Sequence, residues 1–179
     1  MNKYFIQKSS EQLEWFSYEL SDEKAVVTMQ KYFGCLNQSW GYVATYEYTV
    51  YPCGQVKVHL DAKTVQNGKL EPAFLPRLGV VLRADKSLQN TMWHGRGAGE
   101  NYEDTLTACP IGVYKSTVDD MGTNYVFPQE NGHREAVRWF SVGDGKNSML
   151  CTMEAPYGIN LSNYTDEMIE KAQHPWQLE

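Results

Sequence analysis

The feature that most constrains this chain is a pair of strand-like segments joined by a short turn. Residues 40–51 are rich in aromatic and β-branched side chains, which suit a pleated, half-buried surface. Residues 56–61 alternate between apolar and polar, so Val56, Val58 and Leu60 are predicted to point inward. A proline–cysteine–glycine triplet between the two segments supplies turn chemistry. Together they predict an antiparallel hairpin.

The same criteria predict further short strands along the chain, at residues 26–32, 78–82, 88–93, 137–142 and 149–153, and a turn at Asn67-Gly68. Many short strands separated by turns are typical of an all-β sandwich or barrel. Near the end, Thr165 followed by two acidic residues predicts the start of one short helix, which Pro175 stops. A second helix is predicted over Ser10–Leu20, within an N-terminal extension of residues 1–24. The span from Gly95 to Gly132 has little periodicity and is predicted to be a long functional or pinned loop.

Charge and cysteine usage exclude several classes of function. The chain has 16 Lys and Arg against 22 Asp and Glu, a net charge of −6, which argues against nucleic acid as a partner. It contains no run of about 20 apolar residues that would span a membrane, and its start does not resemble a signal peptide. The four cysteines lack metal-ligand spacing, so we expect free thiols in a reducing, cytoplasmic setting, with no metal and no cofactor.

Two polar stretches carry the candidate chemistry. Residues 93–104 combine alternate glycines with aromatic, amide, carboxylate and guanidinium groups, and residues 125–134 add a proline-led turn with further polar side chains. Flat rings that stack on sugars, together with fixed donors and acceptors for hydroxyls, make a carbohydrate site. The predicted sugar-binding residues are Trp93, His94, Arg96, Glu100, Asn101, Tyr102, Asp104, Glu130, Asn131 and Arg134.

Other interpretations of these stretches stay open from the residues alone. The charged groups also fit a buried network that pins a long loop. His94 or His133 with Glu100 would suit acid–base chemistry on a sugar ring. A glycosidase needs two carboxyls about 5–10 Å apart, and the acids near these stretches are Glu100, Glu103, Asp104, Asp119, Asp120 and Glu130. The glycine spacing does not match a dinucleotide-binding loop.

Taken in order, the motifs resemble a known family. The motifs are, in chain order, Trp93-His94-Gly95-Arg96-Gly97, Glu100-Asn101-Tyr102 and Asp104, then Gly112-Val113-Tyr114, then Tyr125-Val126-Phe127-Pro128-Gln129-Glu130-Asn131-Gly132. They are similar to the C-terminal small-chain β-sandwich of family 2 β-galactosidases. The resemblance extends back through the hairpin at 42–61 and Leu75-Pro76, and forward to His174-Pro175-Trp176. Ala98 and Thr105 depart from the family pattern, where proline and arginine are common.

The resemblance implies an antiparallel supersandwich of the galactose-mutarotase-like type. Residues 25–179 would form part of that domain. It implies a glycoside hydrolase that cleaves terminal β-D-galactosides such as lactose with retention. In that family the catalytic glutamates lie in a separate TIM-barrel domain, so no catalytic residue is assigned to this chain.

The leading hypothesis is therefore a domain that supports the barrel of a β-galactosidase and is inactive alone. The alternatives are a stand-alone carbohydrate-binding module and a mutarotase-like sugar enzyme. The expected partners are a β-galactoside, the remainder of a β-galactosidase chain or a large subunit, and a second copy in a homo-oligomer.

Overall fold

The computed structural model describes residues 8–35, 40–66 and 77–178. The chain divides into two compact units, Met1–Val80 and Val81–Glu179, and each contains a four-stranded antiparallel sheet. The predicted all-β, antiparallel class is confirmed. Within the described ranges, no helix has the length and apolar character needed to cross a membrane.

The first sheet is a simple meander in the order β1-β2-β3-β4. Its strands are β1 (Ser10–Leu20), β2 (Ala25–Gly34), β3 (Trp40–Val50) and β4 (Val56–Gln66). The turn between β3 and β4 is closed by the amide of Gly54, which donates to the carbonyl of Tyr51, and Gly54 has a φ of 87°. Because glycine adopts positive φ without strain, the predicted turn chemistry and the predicted hairpin are confirmed.

The strand register builds three apolar rows across this sheet. Residues paired directly across neighbouring strands project from the same face. The rows are Phe16–Met29–Tyr46–Leu60, Tyr18–Val27–Tyr48–Val58 and Leu20–Ala25–Val50–Val56. The adjacent row, Ser17–Thr28–Glu47–His59, is polar and projects from the opposite face. The sheet is therefore amphipathic.

The predicted helix over Ser10–Leu20 is wrong, because these residues form β1. The i, i+3, i+7 spacing of Leu13, Phe16 and Leu20 competes with a period of two at Phe16, Tyr18 and Leu20. The second pattern prevails because it aligns those side chains with apolar partners on β2. A register shift between Leu13 and Trp15 brings the strand into that alignment.

The predicted inward direction of the β4 side chains is right for the face, but only Leu60 is half-buried, whereas Val56 and Val58 are exposed. Val56 and Val58 share the apolar face but remain 52% and 43% exposed. On β1, Phe16, Tyr18 and Leu20 are 62%, 65% and 74% exposed. An apolar face of this size is left open to solvent in the described structure.

The second sheet has the order β6-β5-β7-β8. Its strands are β5 (Asn90–Arg96), β6 (Ile111–Thr117), β7 (Arg134–Gly143) and β8 (Ser148–Ile159). The core of this unit is a cluster of four buried residues, Trp93, Met121, Val137 and Ile159. Tyr114, Phe140, Met153 and Leu161 pack around it. Trp93 places this core directly beneath the predicted polar stretch.

Two short helices accompany the second sheet, α1 (Val118–Met121) and α2 (Asp166–Lys171). The prediction of α2 is confirmed: the Thr165 side chain accepts a hydrogen bond from the amide of Met168, and two acidic residues fill the first turn. Sequence reasoning missed α1, although Thr117 caps it in the same way. Single 3₁₀ turns occur at Leu106–Ala108 and Pro175–Leu178.

The structure departs from two other predictions and leaves two more untested. Residues 78–82 form no strand in the described structure, because their apolar run pairs with no neighbouring strand there, and they are exposed. The span predicted as a long loop, 95–132, contains β6 and α1. The Asn67-Gly68 turn lies outside the described residues, and the domain boundary between residues 24 and 25 stays a prediction.

Candidate functional site

The candidate site is built on the loops that join β5 to β6 and α1 to β7. Asn101 is fully buried and holds these loops together. Its amide nitrogen donates to the carbonyl of Gly99 at 3.0 Å, while its side-chain oxygen accepts from the backbone amide of Glu135 at 2.9 Å. Its own backbone amide donates to the carbonyl of His133. Both polar atoms of this side chain, which was predicted to bind sugar, are therefore engaged by the protein.

Arg96 also acts within the protein. One terminal guanidinium nitrogen donates to the carbonyls of Leu106 and Cys109, at 2.8 and 2.9 Å. These bonds satisfy two carbonyls around the 3₁₀ turn and close the loop that leaves β5. Arg96 therefore serves loop closure in this structure.

Glu100 is the acceptor at the centre of the site. Its carboxylate accepts hydrogen bonds from the Tyr125 hydroxyl and from the amide of Gly132, the latter at 2.8 Å. Burial raises the pKa of Glu100, but hydrogen bonds from Tyr125, Gly132 and Thr123 outweigh it and hold the pKa below its ordinary value. A carboxyl held ionised in this way does not fit the proton donor of a glycosidase.

Arg134, whose charge acts on Glu100, is only 3% exposed. Its guanidinium donates to the carbonyls of Gly132 and His133, both at 3.1 Å, and sits 5.3 Å from the centre of the Trp93 ring. Burial lowers the pKa of Arg134, and the charge of Glu100 opposes that effect. Its Nε atom is buried without a hydrogen-bond partner within the described part of the chain.

Trp93 is 1% exposed and cannot offer a ring face to a sugar. Its indole nitrogen donates to the carbonyl of Arg96 at 2.9 Å, and its ring contacts Tyr114 at a centroid distance of 5.5 Å as well as Arg134. The predicted stacking residue is instead the base of the site. Its aromatic contacts are with the protein.

A second network runs through His133. Its two ring nitrogens face Oδ1 of Asn160 at 2.6 Å and Oε1 of Glu135 at 2.8 Å, and its ring stacks on Tyr102. The Tyr102 hydroxyl donates to Glu130, and burial, followed by the charge of Glu130, raises the pKa of Tyr102. Asn160 completes the network by donating to Glu130 at 2.6 Å.

The remaining predicted residues lie apart from these networks or at their margins. His94 alternates to the other side of β5 from Trp93 and its ring lies 6.3 Å from that of Trp139. Asn131 accepts from the amide of Thr123 at 3.0 Å, and Asp104 is exposed. Among the described residues, neither His94 nor His133 is hydrogen-bonded to Glu100, so the candidate acid–base pair is not assembled here.

An open cavity of about 290 Å³ lies between these loops and the edge of the second sheet. Three predicted residues, Trp93, Glu100 and Arg134, contribute to its lining. Sequence reasoning named Asp120 only as a nearby acid and missed the other polar walls, Lys115, Ser116 and Thr123. The signal was present: Ile111 to Thr117 alternates as a strand, and Thr117 with Asp120 forms a helix-capping pair.

Within residues 8–35, 40–66 and 77–178, no three His, Cys, Asp or Glu side chains are grouped so that they could hold a metal ion. The carboxylates of Glu100 and Asp120 are instead engaged by hydroxyl and amide donors.

Comparison with known proteins agrees with the motifs. The sequence model of the β-galactosidase small chain family matches residues 2–179. A β-galactosidase from Vibrio cholerae is 35% identical over 125 residues, covering 70% of this chain and 11% of the relative. A β-galactosidase from Halalkalibacterium halodurans is 32% identical, covering 73% of this chain and 13% of the relative.

A more distant β-galactosidase, from Leuconostoc mesenteroides, is 25% identical over 91% of this chain and 15% of its own length. The chain thus spans between 11% and 15% of the length of these curated relatives. It corresponds to part of a larger protein in each of them. With its fold, its paired motifs and a match over almost its whole length, the chain belongs to the β-galactosidase small chain family.

Proposed function

We propose that this chain is a non-catalytic domain of a family 2 β-galactosidase that hydrolyses terminal β-D-galactosides such as lactose. Its role is to pack against the remainder of the enzyme and support the catalytic part. The relatives named above support the enzyme class, since each is a β-galactosidase and this chain matches a small share of it. Four free cysteines support a reducing, cytoplasmic setting.

The three apolar rows of the first sheet carry the proposal. Phe16, Tyr18 and Leu20 are each more than 60% exposed, and each begins a row that continues across all four strands. A sheet that is apolar on one face gains stability when another layer covers it, at roughly 25 cal/mol per Å² buried. The remainder of the enzyme would supply that layer. The long exposed edge of β1 also supports a second copy as a partner.

Complementation tests this function. The H. halodurans enzyme, shortened by the segment that this chain matches, is mixed with the purified chain, and hydrolysis of an aryl β-galactoside is measured. We expect no turnover by either piece alone and turnover by the mixture. Tyr18→Lys should abolish the recovered turnover, because it places a charge in the middle apolar row.

Ser17→Lys is the matched control, since Ser17 is the next residue on β1 and belongs to the polar row. It should leave complementation intact. Turnover by the chain alone, or equal complementation by both variants, would contradict the proposal.

A further inference from the structure

We propose that the open cavity beside Glu100 and Arg134 binds a single neutral polyol ring, such as one monosaccharide unit. This site is independent of the packing role proposed above. It lies wholly within residues 93–134, in the second unit, whereas the packing role depends on the first sheet.

The charges of the cavity favour a neutral ligand. Two cations, Lys115 and Arg134, and two carboxylates, Glu100 and Asp120, contribute to its walls. A ligand with a net charge would meet one pair favourably and the other unfavourably. No ion pair of the Lys115 ammonium occurs within the described ranges, so it is available to donate to a ligand.

The mixture of donors and acceptors favours hydroxyl groups. Ammonium and guanidinium groups only donate, ionised carboxylates only accept, and the hydroxyls of Ser116 and Thr123 do both. A hydroxyl is the ligand group that can form a hydrogen bond with each of these partners, since it both donates and accepts. Several hydroxyls on one small frame therefore match the lining better than an amine, a phosphate or an apolar group.

The size and base of the cavity set the dimensions of the ligand. Its volume of about 290 Å³ is at the lower end of the range for ligand pockets, which favours one ring over a chain of sugars. Trp93 lies at its base with its ring engaged by Arg134 and Tyr114. The ring would therefore be held by hydrogen bonds rather than by stacking.

The buried guanidinium gives the site a fixed donor. Arg134 is 97% buried, donates to the carbonyls of Gly132 and His133 at 3.1 Å and of Met121 at 3.5 Å, and has an Nε atom without a partner among the described residues. A guanidinium immobilised in this way loses little conformational entropy when it binds, so the one Nη2 donor that these three carbonyls leave over is preorganised for a ligand oxygen.

Amide NMR of the labelled full chain tests the proposal, with D-galactose, D-glucose and sodium sulfate as probes. We expect either sugar to give saturable shifts at the amides of Gly99, Gly122 and Thr123. The dissociation constant should be about 1–10 mM, because sugar hydroxyls replace water in hydrogen bonds that differ little in free energy.

Gly99→Leu is the blocking variant. Gly99 lines the cavity, a Cβ atom there meets no atom within 4 Å, and its φ is not positive, so a larger side chain fits at the cavity wall without straining the backbone. It should weaken sugar binding at least about tenfold. Gly79→Leu is the matched control, because Gly79 has the same open surroundings and lies outside the cavity.

A second pair of variants tests the donor at the rim. Lys115→Met should weaken binding, whereas Lys146→Met, which changes a lysine away from this cavity, should not. Sugar shifts that rise linearly, that appear away from the cavity, or that persist in Gly99→Leu would overturn the proposal. So would sulfate, if it shifted the same amides as strongly as the sugars. Because complementation depends on the first sheet, its result would be separate from this one.

Discussion

Glu100 shows how a single residue can stabilise the loops of this domain. Its carboxylate is partly buried and yet holds its proton less tightly than a free glutamate, since hydroxyl and amide donors surround it. Asn101, next in the chain, is fully buried and bonded to the backbone on both sides. These two neighbours tie the β5–β6 loop to the start of β7. Their first role is therefore to hold the loops that form the cavity.

The pH dependence of stability follows from Glu100. A carboxyl whose pKa is lowered on folding stabilises the protein above its ordinary pKa of 4.5, and that contribution is lost as the pH falls through the folded-state pKa. We expect Glu100→Gln to lower the free energy of unfolding by ~1–3 kcal/mol at pH 7. The difference from the wild type should narrow as the pH falls below 4.5.

Urea unfolding between pH 7 and acid pH measures this difference. Glu103→Gln is the control, because Glu103 is exposed in the same loop and should show little effect at any pH. A Glu100→Gln deficit that stayed constant across the titration would show that the carboxylate charge is not responsible.

Some helices and strands of this chain are determined by their local sequence, and others by the strands with which they pair. The β3–β4 hairpin and α2 were predictable because their signals are local: alternation around a turn, and a threonine followed by acids. The β1 segment was not, since Leu13, Phe16 and Leu20 satisfy a helical period equally well. Only the apolar rows on β2 and β3 settle its conformation.

The candidate site was predictable only in part, for the same reason. Of the predicted residues, Trp93, Glu100 and Arg134 line one cavity. Which of the motif residues brace the loops and which line the cavity depends on hydrogen bonds between residues far apart in the chain, such as that from Asn160 to Glu130. Spacing along the chain carries no information about such contacts. The walls at Lys115 and Asp120 come from elements outside both motifs.

At the element scale, α2 offers a test of its cap. The Thr165 hydroxyl accepts from the amide of Met168 at 3.3 Å, and the helix is only six residues long. We expect Thr165→Ala to destabilise α2 by about 1 kcal/mol. Hydrogen exchange at the Met168 amide should then be about fivefold faster. Thr165→Ser retains the acceptor and should exchange as the wild type does, and unchanged exchange in the alanine variant would contradict the capping role.

At the scale of the whole molecule, the two units differ in how they bury apolar surface. The second unit encloses a contiguous core, in which Trp93, Met121 and Val137 are at most 1% exposed. In the described part of the first unit the buried apolar residues are Cys35, Trp40 and Ala44, and the three apolar rows keep most of their outer members exposed. A sheet that is apolar on one face needs another element to bury that face.

This contrast predicts different behaviour when the units are separated. Residues 81–179 alone should fold and give a dispersed amide NMR spectrum, because their core is self-contained. Residues 1–80 alone should be unfolded or self-associate through the apolar face, which sedimentation would detect.

Val137→Ala in the 81–179 fragment should lower its Tm, since Val137 has no exposed surface. A monomeric, folded 1–80 fragment would contradict this account, and would show that the apolar rows need no covering layer.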